Sequence, residues 1–479
     1  MVAIALVAVP LLLALCSLAV ASSRVRLWLV PAGAAIHLSL VLFALRSHSD
    51  VSALGGWMVL DKLGRIALPL VSILFFACSL YVPTYLRLRS KRPNRVFCGA
   101  LLAFLAMMTL ITVSHHLGLM WVALEANALV SAPLLYFNHN PRSLEATWKY
   151  LLIGGVGIAL ALLGSFFLAY AALHAGLRGS LLVDDLVRDA PLLSRPWLHT
   201  AFIVLLVGYG TKMGLAPMHT WKPDAYGEAP GVVGALLAGG LTTCAFVALL
   251  RFYQVCSAAG EGAFARDLLV AIGLLSMAVA SVFVARQRDY KRMLAYSSVE
   301  HMGILVVGIG VGGLAAFGAL LHLINNALTK GVLFIAAANI HRAYGGKTTA
   351  TVSGALRRVP ASAGLFVAGF FAVTGSPPFG PFLSEFTILR SAVESGRYFV
   401  AGAFLTLLFV VFVGMAGTVL AVVQGKPRED LPQTGFHDSL GTVGPAIGLL
   451  IAVVLLGVWV PPGLDAALRD AARFVETGQ

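Results

Sequence analysis

An all-α, polytopic membrane fold is what this sequence predicts, and three observations predict it. Hydrophobic residues fill 59% of the 479 positions and charged ones only 11%, with a mean hydropathy of +0.89. That balance leaves too little polar surface to clothe a soluble domain. Apolar runs of about twenty residues recur from end to end, each long enough to cross a bilayer as a helix. Finally, Glu125, Lys212 and Lys330 lie in the middle of such runs, where a charge costs about 2.5–3.5 kcal/mol on insertion. Charges kept at that cost point to function.

About fourteen spans are expected at bilayer spacing. The first, 2–21, has no basic stretch before it and no small-residue cleavage site, so it reads as a retained helix rather than a signal peptide. With 28–45 and 66–86 it forms an N-terminal group, 1–96. A second group, 97–255, holds 97–113, 117–137 (with Glu125), 150–172, 200–221 and 231–250. Its fourth member, the seventh span, carries Gly208, Gly210, Gly214 and Pro217, breakers that interrupt a helix. A third group, 266–424, holds 268–284, 293–311, 314–340, 361–390 and 398–421, and its twelfth span is broken by Gly375, Pro377 and Pro378 in GSPPFGPF. The span 442–460 and a tail complete the chain (425–479). Two interrupted spans five apart fit a pair of inverted five-helix repeats, because an odd offset reverses orientation. Free backbone at membrane depth survives only where protein or trapped water satisfies it.

The net charge of +13 reads as loop charge; with no polar domain, nucleic acid is not an expected partner. Alternate loops differ in basic content. One set holds Arg24, Arg26, Arg87, Arg89, Lys91, Arg92, Arg95, Arg142, Lys149, Lys222, Arg286, Arg288, Lys291, Arg292, Arg342, Lys347, Arg357, Arg358, Lys426 and Arg428. That is roughly twenty against about twelve elsewhere, which turns this set to the cytoplasm and both termini outward. The five cysteines (Cys16, Cys78, Cys98, Cys244, Cys256) lack paired spacing and read as buried thiols.

The candidate site residues are Glu125, Lys212, Glu300, His301, His322, Lys330 and Glu385. His322, Asn326 and Lys330 recur at i, i+4 and i+8, one helix face about 12 Å long. Carboxylate, imidazole and amine are the groups whose proton affinity a buried setting tunes. A lysine paired with a carboxylate holds its proton and releases it when the pair opens, which is the basis of a gated relay. Lys212 lies beside the first break and Glu385 just beyond the second. A static ion pair of Glu125 with Lys212, a core His322 and a structural Glu300 are the plainer readings. His115, His116 and His139, at helix ends, read as surface. No histidine spacing suggests a metal site, and no cofactor is expected.

On the motifs WVALEANAL, TKMGLAPMHTWKPDAYGEAP (211–230), RDYKRMLAYSSVEHMGIL (288–305), HLINNALTKGVLF (322–334) and GSPPFGPFLSEF (375–386), the chain resembles the antiporter-like, proton-translocating membrane subunits of the complex I superfamily. Within that superfamily it is most similar to the component F type found in hydrogenase-4 and formate hydrogenlyase complexes. The resemblance covers nearly the whole chain. It implies a Glu125–Lys212 pair, His322 and Lys330 as the eleventh-span His and Lys, and Glu385 as the twelfth-span ionisable group. Two positions depart from the pattern: Thr243 stands where many relatives carry an eighth-span lysine, and Asn326 where many carry a second histidine. Both remove a titratable step, which leaves two expectations: water held by Thr243 and Asn326 bridges the gap, or pumping is weaker. The chain ends about twenty residues after its last span, like relatives that lack a long lateral helix. The resemblance further implies neighbouring membrane subunits, a peripheral redox arm with iron–sulfur and nickel–iron or flavin centres, and a bacterial or archaeal cell (inner) membrane. Any electron chemistry is expected in those partners. Two other readings use the same residues: a subunit of a multi-subunit sodium/proton antiporter, and a scaffold that conducts nothing.

Overall fold

The computed structural model of the chain describes residues 1–47, 51–89, 92–426 and 434–477. Lys91 and Arg428, two of the basic residues counted above, lie outside the described residues. The helices in order are α1 (Val2–Ala19), α2 (Ser23–Arg46), α3 (Gly64–Arg87), α4 (Arg95–Val113), α5 (Leu117–Leu135), α6 (Pro141–His174), α7 (Val183–Asp189), α8 (Arg195–Met213), α9 (Trp221–Glu228) and α10 (Gly231–Leu236). There follow α11 (Thr242–Ala258), α12 (Gly262–Val284), α13 (Tyr290–Val311), α14 (Leu314–Tyr344), α15 (Ala355–Arg358), α16 (Pro360–Val373), α17 (Gly380–Glu394), α18 (Tyr398–Val423), α19 (Leu440–Val458) and α20 (Pro462–Thr477). A two-residue ribbon, β1 (Ser52–Ala53) against β2 (Met58–Val59), is a small addition to the all-α prediction.

Twelve of these helices are long and apolar enough to cross a membrane, counting α10 and α11 as one through a wide turn at Leu237–Leu241. The remaining apolar length is split, α8 from α9 and α16 from α17, at the two places where glycine and proline cluster. The inner helices are α10–α11, α13 and α14, almost wholly buried, while α1, α18 and α19 keep most of their surface open. α14 is the axis, packed on by α10, α13, α16, α17 and α19. Apolar surface on the outer helices is what a lipid-facing rim requires.

Several boundaries moved for physical reasons. α6 begins nine residues before the predicted span because Asn140 and Ser143 form a reciprocal cap with Pro141 in the first turn; the polar start hides it from a search for apolar runs. α20 was not predicted. It is amphipathic, burying Leu468, Ala471, Ala472 and Val475, and packs along α11. Its spacing is that of a helix with one apolar stripe. Cys16 is exposed rather than buried, whereas the other four cysteines are buried.

Candidate functional site

Glu125 projects from α5 and Lys212 from the last turn of α8. The Lys212 ammonium lies 3.5 Å from a Glu125 carboxylate oxygen. Its seat is opened by Gly154 on α6, where a Cβ would stand 3.0 Å from Lys212 Nζ. Lys212 is buried, but the Glu125 side chain is 30% exposed, less deep than its place in the sequence suggested. One turn either side of it, Val122 and Leu129 are also exposed, so this stripe of α5 faces the flank of the bundle.

α8 stops because Gly214 turns left-handed (φ 77°) and caps the helix on the Gly210 and Thr211 carbonyls. The freed backbone finds protein partners. Ala216 N–H donates to Ser276 Oγ at 2.9 Å, and the Trp221 indole donates to the Thr211 carbonyl at 2.9 Å. α9 then resumes inside the bundle, which corrects one assignment. Lys222, counted from the sequence as loop charge, is fully buried. Its stem lies on Gly214, where a Cβ would come within 2.4 Å of Cδ and Cε. Its ammonium is 3.2 Å from Ser298 Oγ on α13. Lys291 is likewise buried, donating to the Ala229 carbonyl at 2.7 Å.

The second half of the site is built by α13, α14 and α17. Lys330 donates to Ser297 Oγ at 2.8 Å. His301 Nδ1 and His322 Nε2 are 2.8 Å apart, with the rings stacked at 5.0 Å. The other face of His322 meets Ser384 Oγ at 2.9 Å and a Glu385 oxygen at 4.0 Å. Glu300, beside His301, is buried and within electrostatic reach of Lys330. Asn326 is buried between His322 and Lys330. Thr243 Oγ1 donates back to the Gly239 carbonyl of its own helix at 2.6 Å. The twelfth-span break repeats the design of the first. Gly375 (φ 64°) lies beneath Glu385, and a Cβ there would meet Glu385 Oε2 at 2.1 Å. Pro217 and Pro378 lie within the breaks, each following a cis peptide bond, the latter to Pro377.

Polar atoms of Glu300, Asn325, Asn326 and Glu385 are buried without a hydrogen-bond partner among the described residues. Buried polar atoms ordinarily have partners, and ordered water is the usual supplier. His301, His322 and Glu385 also offer three ligand atoms within 4.8 Å, a donor set that their spacing along the chain did not suggest. At 2.8 Å the two imidazole nitrogens are closer than the roughly 3.3 Å expected of two ligands on one tetrahedral zinc ion. A hydrogen bond sharing one proton fits that distance.

Sequence reasoning missed Lys222 and the hydroxyls of Ser297, Ser298 and Ser384. It also missed His115, which is buried rather than on the surface. His115 is 2.8 Å from Asp184 and 3.6 Å from Asp61. Asp61 in turn pairs with Arg251 at 3.1 Å.

The sequence model of the family described as NADH:quinone oxidoreductase/Mrp antiporter, TM, matches residues 114–410. A hydrogenase-4 component F homolog of Methylacidiphilum infernorum is 34% identical over 422 residues, covering 85% of this chain and 86% of its own length. NADH-quinone oxidoreductase subunit N of Desulforudis audaxviator is 32% identical over 381 residues, 79% and 74% of the two chains. Among solved structures, a chain of the membrane-bound sulfane sulfur reductase, an archaeal respiratory membrane complex, superposes with a TM-score of 0.88 at 20% identity, over 99% of this chain and 98% of that one. A chain of the Mrp complex from Dietzia gives 0.88 at 18% identity, over 100% and 98%. This chain, with its interrupted helices and its buried acids and bases, belongs to the NADH:quinone oxidoreductase/Mrp antiporter family of membrane proteins.

Proposed function

We propose that the chain is a proton-translocating, antiporter-like membrane subunit of a redox-driven complex of the hydrogenase or NADH:quinone oxidoreductase kind. One observation carries this. Ionisable groups far apart in sequence converge as a Glu125–Lys212 pair, its lysine buried and its carboxylate at the flank, and as a wholly buried group of Lys330, His322, His301 and Glu385. In this reading Glu125 is the gating carboxylate and Lys212 its switchable partner. Lys330 and His322 are the central relay, with Glu300, His301 and Asn326 lining it, and Glu385 is the outer exit. Each transfer moves one proton between neighbouring groups or the water they hold.

The reading counts α8–α9 and α16–α17 as interrupted spans, fourteen in all, with 97–255 and 266–424 as inverted repeats. Both termini then face outward from a bacterial or archaeal inner membrane. A carboxylate on an apolar flank is costly against lipid, so the exposed edge of Glu125 supports a neighbouring membrane subunit covering α5. The hydrogenase and oxidoreductase relatives support a peripheral redox arm carrying iron–sulfur and nickel–iron or flavin centres.

The test is proton flux by the intact complex in proteoliposomes. Glu125→Gln and Lys212→Ala are expected to abolish pumping while the complex still assembles; wild-type flux in both removes the proposed roles and leaves the scaffold reading. The likeness to the Mrp chain favours one second reading, sodium/proton antiport, which requires that flux depend on sodium.

A further inference from the structure

Between the two halves of the row the sequence places Thr243, and its hydroxyl is committed to a carbonyl of its own helix. A threonine cannot titrate, and with its hydrogen committed to the carbonyl this one can meet a water only as an acceptor. Another basic group is nonetheless buried beside the α13 end of the row. Lys222 enters the interior from the interrupted segment, fully buried, and its ammonium contacts Ser298 Oγ at 3.2 Å and the Ser298 carbonyl at 3.5 Å. The neighbouring residue on α13, Ser297, accepts from Lys330 at 2.8 Å. The two lysines thus touch consecutive residues of one helix and lie within electrostatic reach of each other. Lys222 is also within electrostatic reach of His301. No carboxylate lies within ion-pair distance of Lys222 among the described residues; its other neighbour is the Tyr226 ring, 5.8 Å from Nζ.

The backbone is shaped around this side chain. Gly214, two residues after Lys212, gives up its Cβ volume to the Lys222 stem. The same break that ends α8 therefore brings the second lysine back towards the first. Tyr150 and Trp221 pack with ring centroids 5.1 Å apart; the Tyr150 ring lies 6.0 Å from Lys212 Nζ, and Trp221 precedes Lys222 in the chain. A lysine kept only for packing would need a carboxylate or several strong acceptors to offset its burial. Lys222 has one hydroxyl and one long carbonyl contact.

We infer that Lys222 is a relay group in its own right, joining the Glu125–Lys212 pair to the Lys330–His322 row in place of the titratable group that position 243 does not provide. The inference rests on the proton-path reading above. Each step passes one proton from an ammonium to a free amine, directly or through water, so charge along the row is conserved and no other reactant is needed. Like charges held close in a low-dielectric interior repel, so a proton arriving at Lys222 drives one off Lys330.

The test compares Lys222→Met, of similar length but without a proton to give, with Lys222→His, which can still titrate. Glu125→Gln is the control, and all are made in the intact complex in proteoliposomes. Lys222→Met is expected to lower proton flux by roughly 10²-fold, the low end of what a positioned proton-transfer group contributes, while the complex assembles. Lys222→His is expected to keep part of the flux, with a changed pH profile. Wild-type flux in Lys222→Met beside a dead Glu125→Gln overturns the inference and leaves the proton-path reading standing. Equal loss in the Met and His variants with an unchanged pH profile assigns Lys222 to packing and overturns it as well. Normal flux in all three variants ends the underlying reading itself. Should Lys222→Met fail to assemble, Gly214→Ala carries the test, because it keeps the lysine and crowds its stem: retained assembly with reduced flux supports the inference, and unchanged flux overturns it.

Discussion

Gly375 and Gly214 show how single residues set this site. Each adopts a positive φ that residues with a Cβ resist, and each lies directly against an ionisable side chain, Glu385 in one case and Lys222 in the other. Gly375→Ala adds a carbon where Glu385 Oε2 now stands, 2.1 Å away. The carboxylate is the end of a flexible side chain and gives way, moving from its place 4.0 Å from His322. The stability cost should be modest, about 1–2 kcal/mol of backbone strain, whereas flux should fall by much more. Denaturation in detergent and flux in proteoliposomes separate the two effects, and an unchanged flux would show that the Glu385 position is not needed. Both glycines were visible in the sequence as breakers. Which side chain each one accommodates was not, because Lys222 and Glu385 reach them only through the turns the breaks create.

Among whole elements, the end of α4 is locked onto the middle of α11 (Thr242–Ala258) by Arg251. It is fully buried, with Nε and Nη2 on Asp61 at 3.1 and 3.2 Å. It also donates to the carbonyls of Ile111, Thr112 and Ser114 at 3.1, 2.7 and 2.6 Å. These carbonyls lie at the end of α4, where the Ile111 carbonyl also accepts the Ser114 N–H at 3.3 Å, and a guanidinium is well suited to such a helix end. Arg251→Met takes the buried guanidinium away from Asp61 and from three carbonyls, so unfolding in detergent should become easier by about 3–5 kcal/mol. A loss below about 1 kcal/mol, the worth of a surface pair, would contradict the buried clamp. The sequence showed Arg251 only as a charge past the end of an apolar run. Long apolar elements were legible because length and hydropathy alone specify them. α7, α20 and the β1–β2 ribbon were not, since short or amphipathic pieces carry no such signal.

Across the whole molecule, Asp61, His115, Asp184 and Arg251 tie together the segment before α3, the α4–α5 connection, α7 and α11 at one end of the bundle. The hydrogen bond from His115 holds the Asp184 carboxyl below its ordinary range. The folded value is depressed, so the contribution is fully present above the ordinary aspartate range and is lost as pH falls through the lowered value. Melting temperature against pH should therefore fall on the acid side in the wild type, and less steeply in Asp184→Asn. Identical acid limbs would show that the contact adds nothing. At the same scale, the exposed edge of Glu125 beside Val122 and Leu129 marks the flank of α5 as the place to look for a neighbouring subunit.

Composition and apolar spacing by themselves determined that this chain is a helical membrane protein. Insertion cost alone singled out Glu125, Lys212 and Lys330, since a charge in an apolar run is conspicuous without any fold. Only the tertiary structure decided which groups meet. It brought His301 to His322 and Glu385, seated Lys222 beneath Ser298, turned Thr243 back on its own helix and buried His115. Helix packing and the turns at two left-handed glycines fix the encounters of Lys222 and Glu385; the glycines show in the sequence as breakers, but the partners they bring together do not.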